Sequence, residues 1–68
     1  MKIFAERLKE LRKENNLSQR QMAEILFIKQ QSYIRYEKNT SEPSYEMLIV
    51  IAKYFKVSTD YLLGLSDY

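Results

Sequence analysis

The sequence predicts an all-α fold of five short helices around one core. Three observations carry this. Apolar residues recur at helical spacing along the chain: Phe4, Leu8 and Leu11, then Leu48, Ile51, Ala52 and Phe55. Serines that suit helix N-caps, at 18, 44 and 58, divide the chain. No stretch alternates with period two for long enough to make a convincing strand.

Helix 1 is expected over about residues 3–14. Phe4, Leu8 and Leu11 share one face, and Asn15-Asn16 suits the helix end. Helix 2 is expected over about 19–26. Ser18-Gln19-Arg20-Gln21 is a capping box, in which each end residue can bond the other's backbone amide. Leu17 and Met22 flank it as a hydrophobic staple, and Met22, Ala23 and Leu26 continue the buried face. Helix 3 is expected over about 30–38, with Ile28, Tyr33 and Tyr36 inward. Its first turn carries Lys29, Gln30, Gln31 and Ser32, and Arg35 follows one turn on. Asn39 is suited to a left-handed helix end. After the loop 39–43, Ser44 caps helix 4, with Glu46 favoured in its first turn by the helix dipole. Val57-Ser58-Thr59-Asp60 repeats the cap and staple, with Val57 facing Leu62. A short helix 5 ends at Gly64, the only glycine.

Sixty-eight residues allow one domain, expected over 1–68. The 46% apolar content is too high for a disordered tail. With no His and no Cys, a zinc finger, a thiolate nucleophile, an imidazole base and a disulfide framework are all excluded. No metal or cofactor is expected, and no enzyme: Glu10 and Glu14 lie among Lys9, Arg12 and Lys13 and read as solvated helix charge. The start meets charge early, and the longest apolar run, Met47 to Ala52, falls far short of the ~20 residues that span a bilayer. A cytoplasmic protein without membrane partners is the expectation.

Charge is unevenly spread. Residues 1–39 hold nine basic and five acidic side chains, a net +4; residues 40–68 hold two and four, a net −2. A basic first half suits a polyanion. Two short helices joined by a tight turn, the second opening on Lys29-Gln30-Gln31-Ser32, have the form of a helix-turn-helix. A helix in the DNA major groove reads bases with side chains near its N-terminus. Gln pairs with adenine N6 and N7, and Arg or Lys with guanine O6 and N7. The free amides that open helix 2, with Gln19, suit a phosphate.

Leu17-Ser18-Gln19, Met22-Ala23, Leu26, Gln31-Ser32, Arg35-Tyr36-Glu37 and Glu42-Pro43-Ser44 follow one another in order. Together they resemble the Cro/C1-type helix-turn-helix domain, the xenobiotic-response-element family of bacterial and phage regulators. Val57-Ser58 and Asp60 to Gly64 resemble its usual ending. The resemblance covers Phe4 to Gly64, and Lys29 to Ser32 is similar to the helix-3 start of small lambdoid phage repressors. It implies a lambda-repressor-like fold and a sequence-specific double-stranded DNA-binding regulator, a repressor, that reads the major groove with residues 29–38. By position it implies base reading by Gln30, Gln31 and Arg35, and base or phosphate contact by Lys29 and Ser32. Gln19, Lys38, Asn39 and Thr40 would lie on the DNA backbone. Arg12 and Glu37 would form a structural pair that orients helix 3.

Four positions depart from the family pattern. Phe27 stands where Gly is usual, a strain of order 1 kcal/mol if φ is positive. Lys29 replaces a capping Ser or Thr, forfeiting about 1 kcal/mol. Ile34 faces outward, where it could meet a thymine methyl or be a partly covered apolar residue. Tyr33 stands where a smaller aliphatic residue is common.

Ile49, Val50 and Tyr54 lie off the buried face of helix 4 and suggest an interaction patch. The family often dimerises through its C-terminal helices, so Leu65 and Tyr68 would join them in a homodimer on a near-palindromic operator. The alternative is a protein-interaction module of the same fold, an antitoxin or adaptor, or a regulator that is itself controlled by a protein partner.

Overall fold

The computed structural model describes residues 2–67; Tyr68, placed with Leu65 in the expected patch, lies outside the described residues. The elements are α1 (Lys2–Glu14), α2 (Gln19–Leu26), α3 (Gln30–Glu37), α4 (Tyr45–Phe55) and α5 (Thr59–Leu63). Among the described residues there are five helices and no strand.

Each start follows from its residues. Ser18, Ser44 and Ser58 are extended, and their hydroxyls accept from the amides of Gln21, Met47 and Tyr61. At α2 the box closes: the Ser18 amide donates to Gln21 Oε1 at 2.8 Å. α3 differs. Its N-cap residue, Lys29, is extended but makes no side-chain cap bond.

The five helix ends are all alike. A left-handed residue follows each helix: Asn16, Phe27, Asn39, Lys56 and Gly64, with φ of 58°, 57°, 61°, 58° and 82°. In each case its amide bonds a carbonyl three residues back, and the next amide bonds one five residues back. For α1 these are Asn16 to Lys13 at 3.0 Å and Leu17 to Arg12 at 3.1 Å; for α3, Asn39 to Tyr36 at 3.3 Å and Thr40 to Arg35 at 3.0 Å. This is the Schellman arrangement, which satisfies carbonyls that a helix end leaves open. It explains why α3 stops at Glu37, one residue before the expected Lys38: the turn through Asn39 closes there. Four of the five left-handed positions carry a side chain. At Gly64 a Cβ would crowd the Ile3 side chain, coming within 2.9 Å of it.

The core is built from Phe4, Leu8 and Leu11 of α1, Met22, Ala23 and Leu26 of α2, Tyr33 of α3, Leu48, Ile51 and Ala52 of α4, and Leu62 of α5. α3 packs on α2 and α1, and α5 closes the other side against α1 and α4. Tyr33 is wholly buried. Its ring meets Tyr36 edge to face at 6.5 Å, and Tyr36 meets Phe4 likewise at 6.4 Å. The larger ring at position 33 is therefore accommodated by an aromatic chain running from α3 to α1.

Arg7 fastens the C-terminal end. Its guanidinium donates to the carbonyl of Tyr61, and to that of Ser66 at 2.7 Å. It also lies 4.2 Å from the centre of the Tyr61 ring, a cation–π contact.

Candidate nucleic-acid interface

α3 has an inner and an outer side. Tyr33 is buried, Tyr36 and Glu37 are half-buried, and Gln30, Gln31 and Arg35 are exposed. The helical period forces this division: a residue every three or four places faces the core, and those between face solvent. Ser32 and Ile34 are half-buried at the border. Lys29 is exposed at the helix start, and Lys38, Asn39 and Thr40 are exposed beyond its end. Thr40 is also tied back to α3: its hydroxyl donates to the Arg35 carbonyl at 3.3 Å.

Glu37 anchors α3 from behind. Arg12 Nε donates to Glu37 Oε2 at 2.6 Å and Arg12 Nη2 to Oε1 at 3.2 Å, a two-pronged pair from α1 to α3. Arg12 Nη1 donates to the Leu17 carbonyl at 2.9 Å, ahead of α2. Gln19 Nε2 donates to Glu37 Oε1 at 3.2 Å, and the Tyr33 hydroxyl donates to Oε2. The Arg12 and Glu37 side chains are 11% and 3% exposed, so theirs is not a loose surface pair. Gln19, expected on the DNA backbone, thus spends its amide on the hub.

The electrostatics follow. Burial alone would push the Glu37 carboxyl up, but hydrogen bonds from Arg12, Tyr33 and Gln19 outweigh it and hold it below its ordinary value. Burial first, then the bond to the carboxylate, pushes the Tyr33 phenol far above its usual value. Arg12 is raised as well, chiefly by its bond to Glu37. At neutral pH the three groups are a carboxylate, a neutral phenol and a guanidinium.

Arg7 and the donors of Gln19 and Tyr33 to Glu37 escaped the sequence reading. For Arg7 a signal exists: it sits three residues after Phe4 and four before Leu11, at the margin of the apolar face. Ile49, Val50, Tyr54 and Leu65 are exposed, at 45–46% for the three on α4 and 76% for Leu65.

The profile of a family described as a helix-turn-helix domain matches residues 5–67. The chain is 38% identical over 65 residues to the HTH-type transcriptional regulator YobD of Bacillus subtilis strain 168, covering 96% of this chain and 58% of that protein. It is 44% identical over 61 residues to YqaE, another HTH-type transcriptional regulator of that strain, covering 90% and 53%. A crystal structure of a transcriptional regulator from Listeria innocua matches with a TM-score of 0.81 at 37% identity, over 96% of this chain and 58% of the other. The chain spans little more than half the length of these relatives.

Proposed function

The chain belongs to the helix-turn-helix family of Cro/C1-type regulators, and from that premise we propose that it is a sequence-specific double-stranded DNA-binding repressor. One observation carries the proposal: an exposed Gln30, Gln31 and Arg35 on a helix whose back is held by Tyr33 and Glu37. Two amides and a guanidinium on one outer face supply the donors and acceptors that adenine and guanine edges match in the major groove. Lys29 adds charge at the groove, Ser32 a hydroxyl at its border, and Lys38, Asn39 and Thr40 lie along a phosphate strand. Gln19 reaches a phosphate only with the part of its side chain that Glu37 does not hold. Arg12 and Glu37 set the tilt of α3 and touch no base.

Repression follows from occupancy, because a bound domain covers the promoter it sits on. The domain is a binding module, not a catalyst, and works without a cofactor in the cytoplasm, where the chromosome is. Two copies bind a near-palindromic operator with their α3 helices one turn of DNA apart, ~34 Å. Ile49, Val50, Tyr54 and Leu65 form the surface that joins them. The same exposed apolar group favours a second reading, in which it takes a regulatory protein partner, as in an antitoxin or adaptor.

Selection of bound duplexes from a random DNA pool tests the proposal. The expected outcome is enrichment of a two-fold-related site. On that site Gln31→Ala costs ~1–3 kcal/mol and relaxes one base pair per half-site. Lys38→Ala weakens binding to all sequences alike and lowers the salt slope by about 1. No enrichment at low salt, with a stable complex to another protein, would replace this reading by the second.

A further inference from the structure

The Phe27 backbone closes α2, but its side chain packs on nothing in the fold. It is 95% exposed, at φ 57° and ψ 41°. The left-handed region strains a residue with a Cβ, and burial returns nothing to a ring left in water. The other four left-handed positions hold Asn, Asn, Lys and Gly, residues that are polar or lack a side chain. For the turn alone, Gly or Asn would serve better.

The position of this ring is what gives it meaning. Leu26 before it is buried, and Ile28 after it packs against the core. Phe27 and Lys29, on either side of Ile28, are both exposed, in the turn that leads from α2 to Gln30 at the start of α3. An aromatic ring is thus exposed three residues ahead of the polar face that α3 presents. A major groove offers one apolar group on its floor, the C5-methyl of thymine.

We infer that Phe27 is a specificity-determining residue that packs on a thymine methyl beside the base pair met by Gln30. This rests on the DNA-binding reading above. A second copy of the chain or a protein partner suits the ring less well, because it stands apart in sequence from the exposed apolar residues of α4, and its exposed neighbours along the chain are the polar Glu24, Lys29 and Gln30.

The test uses the full chain and a labelled operator from the selection, with each thymine replaced in turn by deoxyuridine, which lacks only the methyl. For the unaltered chain, one thymine per half-site should lose about fourfold in affinity, the worth of one buried methyl group. Phe27→Gly and Phe27→Asn should lose at least as much on the thymine duplex and show no further loss with deoxyuridine there. Both variants should melt at or above the temperature of the parent, so weaker binding cannot be put down to unfolding. A methyl read by Ile34 would keep its sensitivity in both variants. If operator binding persists but no thymine responds, or the response survives Phe27→Gly, the Phe27 assignment falls and the DNA-binding reading stands. Unchanged DNA affinity with a smaller oligomer would give the ring to a protein contact. Failure to bind any duplex overturns both.

Discussion

Replacing Glu37 by Gln removes a charge and leaves the shape. Four donors converge on the two carboxylate oxygens, two on each: Arg12 Nη2 and Gln19 Nε2 on Oε1, Arg12 Nε and the Tyr33 hydroxyl on Oε2. An amide offers one oxygen and one NH2. Gln19 can flip and Tyr33 can rotate to accept from that NH2, but Arg12 cannot. Either orientation sets a guanidinium nitrogen against another donor, inside a site where the arginine is 11% exposed. A buried pair broken from one side costs about 3–5 kcal/mol. The bond from Arg12 to Leu17 remains, so the low end, about 3 kcal/mol, applies. A chain of this size has in total about 3–10 kcal/mol of stability, and the melting temperature should fall by roughly 10–20 °C. The measurement is thermal unfolding by circular dichroism from pH 7 down to pH 3. Because the folded carboxyl sits below its ordinary value, its stabilisation is fully present above that value, 4.5, and is lost as pH falls through the folded one. The parent should lose this contribution in acid, and Glu37→Gln should lack it throughout, so the two curves converge. A Gln variant within 0.5 kcal/mol of the parent at pH 7, or one with the parent's full acid sensitivity, would refute the reasoning.

Three further outcomes are expected. Gly64→Ala should cost at least about 1–2 kcal/mol by urea unfolding, since it adds left-handed strain to a Cβ 2.9 Å from Ile3. Ile3→Val beside it should recover part of the loss. Lys29→Ser should supply the missing cap of α3 and raise stability by about 1 kcal/mol, while operator affinity falls and becomes less dependent on salt. Val50→Glu, at a site 46% exposed, should leave the melting temperature of dilute protein nearly unchanged; sedimentation of the protein–DNA mixture should shift from two copies per operator toward one.

The helices were legible because their boundaries are written in short-range chemistry. Ser18, Ser44 and Ser58 announce their starts, and Gly64 and Asn39 their ends. Phe27 and Lys56 were harder, since nothing in either residue type favours a left-handed turn; the position of Phe27 came from a family pattern, and that of Lys56 from no sequence signal at all. The outer residues of α3 could be named from helical period and hydrogen-bonding capacity alone. What stayed hidden was the convergence on Glu37. The Arg12–Glu37 pair follows from the family resemblance, but that Gln19 and the Tyr33 hydroxyl join it does not, because one-dimensional spacing carries no record of which long side chains turn inward. Arg7 is the same case, its partners being carbonyls more than fifty residues away.

The two sides of α3 share no residue. The side that holds it in place is Tyr33, Tyr36 and Glu37, and the side it presents is Gln30, Gln31 and Arg35. Substitutions on the outer side leave the core, the hub and the caps untouched. If the outer side reads bases as proposed, specificity can change there without altering the residues that hold the scaffold together. A library randomised at 30, 31 and 35 should then yield folded proteins at nearly every draw, and a lineage could change its operator without first becoming less stable.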